Sequence, residues 1–322
     1  MTLAWATSTL ACADDDQGKL GASGASGTQG ASDPGNGGVS SAGDAVDTDG
    51  EVELYVAAGD GVAGLEPGTK GETKGENTVD GWTVNYDRLI VTVGSLDAHA
   101  LSGGELALGH PAGLVIDLRQ VAAPLLLDSA SAWSANFDFL FGVTGASAAS
   151  RLVEPATDAD YDLMVKGGYS IYMEGTLTDP AGRSCNPDDP TDCIPAPMLT
   201  FKWGLAAATT FSDCGGFTVD PDQTTEVTLT IPGDHWFRSN FRPESLYPRQ
   251  AQWVADADLD HNGETTLEEL KMIKASLLFT PELDYDLAGA PIPVNTAHDF
   301  LEAQVRTLGL TTATGCQAAR VL

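Results

Sequence analysis

Between residues 50 and 240, Gly, Pro, Asp and Ser interrupt the chain so often that its apolar segments are only as long as short strands. Val52-Glu53-Leu54-Tyr55-Val56 and Trp82-Thr83-Val84-Asn85-Tyr86 alternate in polarity, as a half-buried strand does. Tyr169-Ser170-Ile171-Tyr172-Met173, Leu199-Thr200-Phe201-Lys202-Trp203 and Val227-Thr228-Leu229-Thr230-Ile231 repeat the pattern. Residues 89–93, 114–118 and 137–143 are continuous apolar runs of strand length. Eight such segments without intervening helical periodicity predict a mainly β fold, an antiparallel β-sandwich over residues 50–240. Residues 66–76, with Gly, Lys and Glu in near-repeat, are expected to form a surface loop.

A helical segment packed on the sandwich is expected over residues 241–322. Its last helix is predicted over residues 296–308, with Phe300, Leu301, Val305 and Leu308 as the buried stripe. Within this segment lies Asp258-Leu259-Asp260-His261-Asn262-Gly263-Glu264-Thr265-Thr266-Leu267-Glu268-Glu269. The spacing is that of the twelve-residue D-x-D-x-N-G-x5-E calcium loop. Calcium takes six to eight oxygens, and this order supplies them. Asp258, Asp260 and Asn262 would offer side-chain oxygens and Glu264 its carbonyl. Thr266 would act directly or through water, and Glu269 would close the cage with both carboxylate oxygens. Gly263 stands where the loop must turn with positive φ, a conformation that costs glycine little. An Asp-rich solvated turn joining two helices is the plainer alternative.

Pro248 can open a preceding helix that carries Trp253 and Val254 as far as Ala257. After the loop, Leu267, Leu270, Ile273 and Leu277 recur at three- and four-residue spacing, one stripe on a helix of about three turns. Helix, loop and helix over residues 248–278 resemble an EF-hand. In that family the eighth loop position is usually aliphatic and pairs with a second hand. Here it is Thr265, and no second loop is found, which argues against a dockerin. Asp158-Ala159-Asp160-Tyr161-Asp162 lacks the following glycine and closing glutamate and is expected to be a solvated loop. An unpaired hand is expected to bind weakly, with Kd in the ~10⁻⁴–10⁻³ M range of extracellular modules.

The N-terminus suggests export. Residues 1–12 read as the remnant of a signal, with Leu10-Ala11 before Cys12 resembling a bacterial lipobox and Cys12 as the lipidation site. Residues 13–49 are Gly, Ser, Ala and Asp with almost no large apolar side chain, so a disordered tether reaching on the order of 30 Å is expected. The expected location is the cell envelope, by lipid anchor in the periplasm or at the surface, or else secreted. The remaining cysteines fit an oxidising compartment, paired Cys185–Cys193 across a turn-rich segment and Cys214–Cys316 tying back the C-terminus; three pairings are open. No Cys/His spacing suggests zinc.

Sixteen basic against 46 acidic residues leave a net charge of −30, which excludes nucleic acid as a partner and favours cations. No nucleophile elbow, H-E-x-x-H, Walker loop or dinucleotide fingerprint is found, so no enzyme activity is expected. Asp234-His235-Trp236-Phe237 is read as a strand-to-helix corner with both aromatics in the core. Asp80-Gly81-Trp82, Tyr86-Asp87-Arg88-Leu89, Gly233-Asp234-His235-Trp236-Phe237, a single hand and a final cysteine resemble, over residues 50–318, a group of uncharacterised EF-hand-bearing lipoproteins of delta-proteobacterial type. The resemblance implies a secreted β-rich domain and assigns it no activity. The leading expectation is an exported, lipid-anchored protein binding one Ca²⁺ for structural or environmental reasons. The alternatives are a calcium-dependent adhesion or carbohydrate-binding module, with a protein or glycan partner, and periplasmic metal handling through Asp234 and His235.

Overall fold

The computed structural model describes residues 49–68, 77–212, 214, 216–241, 248–311 and 317–320. Cys12, nearly all of the tether, most of the Gly/Lys/Glu loop and Cys316 lie outside them. The chain from Val46 onward forms one compact unit.

Strand β1 (Gly50–Ala58) folds as its alternation predicts, with Val52, Leu54 and Val56 buried and Glu51 in water. Seven more strands place the site: β2 (Thr83–Ala100), β3 (Leu125–Ala132), β4 (Ala135–Val143), β5 (Ile171–Thr178), β6 (Met198–Leu205), β7 (Thr224–Ile231) and β8 (Glu264–Thr266). The smaller sheet runs β7–β1–β3, and the larger contains the path β8–β6–β5–β2–β4. Their inward side chains share one apolar cluster, including Leu54, Val227, Leu229, Phe141 and Trp203. The fold is thus a mainly β sandwich with a few C-terminal helices. Its ladders are mostly antiparallel, but β1 runs parallel to β7, with Leu54 opposite Val227, and β6 runs parallel to β8.

The spine is β2, eighteen residues long. Residues 82–86 and 89–93 read as separate strands, yet from Thr83 onward they belong to one. A bulge against β5 lets Glu174 face Arg88 and Gly175 face Tyr86, so the polar Asp87-Arg88 step is absorbed without a turn. The apolar run exists because both faces are covered. Leu89, Val91 and Val93 enter the main core, while Ile90 joins Val115, Met164 and Tyr172 in a second cluster.

Helix α1 (Asp158–Gly167) supplies Met164 to that second cluster. It replaces the solvated loop expected at residues 158–162. Thr157 and Asp160 form a reciprocal capping box, and acids in the first turn complement the helix dipole. Gly168 ends the helix in the left-handed region at φ 63°.

The expected disulfide Cys185–Cys193 is present. It crosslinks a hairpin of residues Arg183–Asn186 and Asp189–Pro195, in which the two cysteines face each other. Cys214 is buried and disulfide-bonded.

Four helices follow: α2 (Gln252–Asp256), α3 (Leu267–Met272), α4 (Ala275–Leu278) and α5 (Ala297–Val305). Aromatic rings join them to the sandwich. Trp203 of β6 stacks on Trp253 of α2 at 5.6 Å, and Trp253 meets Phe279 and Phe300 edge-on. Phe279 and Phe300 stack at 4.0 Å, with Phe241 and Tyr285 against the latter. The expected stripe of Phe300, Leu301, Val305 and Leu308 is buried. Replacing Phe300 with alanine opens a cavity at the centre of this cluster. Denaturant unfolding of Phe300→Ala is expected to show a loss of about 3–5 kcal/mol.

Candidate metal centre

Both helices flanking the acidic loop are shorter than their periodicity predicts. The segment from Arg249 is taken first by bridges to Thr78 and Arg238, so α2 starts only at Gln252. There Asp80 Oδ2, distant in sequence, accepts the backbone N–H groups of Ala251 at 2.6 Å and Gln252 at 2.7 Å and serves as an external cap. After the loop, α3 stops at Met272. Ile273 and Lys274 become extended because Lys274 bridges Thr296, Ala275 N–H donates to Asn295 O, and Ala297 N–H donates to Ile273 O. The helical stripe expected through Leu277 is therefore broken. Beyond the break, Ala275, Leu278 and Phe279 are buried, while Leu277 is only half-buried.

The loop itself closes. One carboxylate oxygen each from Asp258, Asp260 and Glu269 lie within 4.8 Å of one another. Asp258 and Glu269 are buried, and Asp260 is exposed. No ion pair to these three is found among the described residues. Asp258 is held by the backbone N–H groups of Asn262 to Oδ1 at 3.1 Å and Gly263 to Oδ2 at 2.9 Å. Burial pushes its carboxyl above the usual range; those two N–H groups oppose the shift, and the Glu269 and Asp260 charges add to it. Asn262 stands beside Asp260, donating from Nδ2 to Oδ2 at 3.0 Å, while its Oδ1 accepts Glu264 N–H at 2.7 Å. Gly263 has φ 85°.

Glu269 takes four donors. Its Oε1 accepts Leu259 N–H at 2.9 Å and Asp260 N–H at 3.4 Å, and its Oε2 accepts the Thr266 N–H and Oγ1–H, each at 2.8 Å. With Thr266 it completes the capping box of α3. Sequence position twelve thus meets positions one to three, while Glu264 and Thr266 bound the short strand β8 between them.

That strand is the unexpected part. In place of a second hand, β8 pairs with the sandwich, with Phe201 opposite Thr265. Thr200 N–H donates to Gly263 O at 2.9 Å, and Trp203 Nε1–H donates to Thr265 O at 2.9 Å. Thr265 is fully buried and donates from Oγ1 to Val254 O at 2.7 Å. The hydroxyl that looked like a departure from an aliphatic position is a clasp between the loop's strand and α2.

His261 is exposed, φ 56°, with Nδ1 3.4 Å from Ser184 Oγ of the disulfide hairpin. A second group escaped the sequence reading: His298, Asp299 and Glu302 also bring ligand atoms within 4.8 Å of one another. The i, i+4 spacing of His298 and Glu302 was the available signal. Asp299 Oδ2, however, already accepts Asn295 and Thr296 N–H groups in capping α5.

Asp234 and His235 sit in the core. Trp236 and Phe237 are buried with them in a 3₁₀ turn, His235–Phe237. The Asp234 carboxylate is taken by Arg238, through Nε and Nη2 at 3.2 Å each, and by Arg249 through Nε and Nη2. Guanidinium groups therefore stand where a metal would have to.

No family model, curated protein or solved structure matches this chain. The site rests on its own residues.

His235 yields a pH prediction. Burial, then the Arg238 charge, hold its imidazole well below the usual range; a hydrogen bond from Nε2 to Thr307 O at 3.2 Å opposes this, and Arg249 adds to it. The unfolded chain takes up a proton near pH 6.5 that the fold refuses, so stability is full above that pH and falls below it. Urea melts at pH 7.5 and 5.5 should show wild type losing roughly 1–1.4 kcal/mol more than His235→Gln.

Proposed function

We propose that the protein is a calcium-binding, exported protein of the cell envelope, anchored through Cys12, whose ion is structural. The observation that carries this reading is the convergence of Asp258, Asp260 and Glu269, without a cation of the chain's own among the described residues, at the positions a calcium loop requires. Asp258, Asp260, Asn262, the Glu264 carbonyl, Thr266 and Glu269 would hold the ion. Hard oxygen donors of this kind suit Ca²⁺. Bound there, the ion would offset two of the three charges of the crowded carboxylates and fasten α3 to the start of the loop. The −30 charge of the chain favours any cation. Affinity is kept low because the ion competes with the four donors that already satisfy Glu269.

With Kd in the ~10⁻⁴–10⁻³ M range, 10 mM calcium should raise unfolding stability by about 1.4–2.7 kcal/mol. The near-isosteric pair Asp258→Asn with Glu269→Gln removes two charges while leaving one acceptor oxygen on each side chain, and should abolish the rise. Equal melting with calcium and with chelator, or an undiminished response in the double variant, would sink the assignment.

A further inference from the structure

Between the disulfide hairpin, α2, α4 and the turn after α4 lies a partly open cavity of about 530 Å³. Its size falls in the range, roughly 300–1,000 Å³, typical of small-molecule sites. Pro187, Pro190, Leu277, Leu278 and Leu283 give it an apolar wall. Its charged lining is two acids, Asp256 and Glu282, and one base, Arg183.

Burial raises the Asp256 pKa to about 6 and the nearby Arg183 charge opposes the shift, so the carboxylate is ionised at pH 7.5. Its Oδ1 accepts Cys185 N–H and Gln252 Nε2–H, each at 2.8 Å. Its Oδ2 makes no hydrogen bond among the described residues and is not sealed from solvent. Two further groups, Asp80 and Tyr285, interact with Asp256 but are not part of the lining. Asp80 and Asp256 both lie close enough to Tyr285 to add to the upward push that burial gives its phenol. Asp80 Oδ1 and the Tyr285 hydroxyl are buried without a hydrogen-bond partner. A fixed carboxylate with a free oxygen, at one side of an apolar chamber, is complementary to a cation carried on a hydrocarbon stem.

We infer that this cavity binds an organic ammonium, a primary amine on an aliphatic stem. The ammonium donates to Asp256 Oδ2, and the stem lies along Leu277, Leu278, Leu283 and the two prolines. The charge-assisted hydrogen bond sets orientation, and the apolar wall supplies the burial. The site does not depend on the calcium reading, since none of the loop's six proposed ligand residues lines the cavity.

Hexylammonium, hexanol and hexanoate can be titrated into the protein at pH 7.5 in chelator, following backbone amides by NMR. Hexylammonium should shift Cys185, Gln252, Leu278 and Leu283 and bind about ten-fold tighter than hexanol, the worth of one charged hydrogen bond. Asp256→Asn keeps the Oδ1 acceptor and should erase that preference while leaving hexanol binding unchanged. Leu283→Trp, at a position 51% exposed, should fill the mouth and block both ligands. The inference fails if hexanol equals the amine, if hexanoate binds best, if Asp256→Asn changes nothing, or if the shifts fall elsewhere. Because calcium is absent throughout, none of these outcomes bears on the acidic loop.

Discussion

Three residues of an acidic turn run parallel to an edge strand, and the arrangement of the C-terminal third follows from that contact. The β8–β6 ladder fixes the height of Thr265 on the sandwich, and Thr265 fixes Val254 of α2 through its hydroxyl. Trp203 then does two things from one position. Its indole N–H holds the loop backbone, while its ring stacks on Trp253. A two-residue hairpin cannot join parallel strands, so the chain between β6 and β8 has to make a long excursion. That excursion includes β7, the Asp234 corner and α2, and it closes the apolar core on the way.

How much of this was legible in the sequence depended on which force decided each element. The sandwich was readable because strand alternation and burial are the same fact, as Val52, Leu54 and Val56 show. In the acidic loop, positions one, three and twelve converge because spacing within twelve residues is a local property. Where long-range bonds compete with local pattern, they override it. Ile273 and Lys274 carry no helix breaker, yet a bridge to the Asn295–Thr296 segment stretches them out. The start of α2 was set by Asp80, a residue nothing local could nominate. Helix α1 was a different kind of miss. Thr157 and Asp160 spell a capping box, and that spacing, not the charge of three aspartates in five residues, decides the segment.

Charge is handled oppositely at the two acidic centres. At the Asp234 corner the carboxylate is buried with guanidinium partners from Arg238 and Arg249, so the protein supplies its own cations. At the acidic loop the carboxylates are met mainly by backbone N–H groups, which neutralise geometry but not net charge. At the first centre the carboxylate's charge is met within the core, and at the second charge is left over.

The interruption after Met272 has a mechanical corollary. Sensor hands convert ion capture into signal by swinging a long outgoing helix and uncovering an apolar groove. Here the outgoing helix is six residues long and is stitched to another segment immediately beyond its end. A lever that short, pinned at its tip, transmits almost no displacement. An ion held there would tighten a clamp and throw no switch.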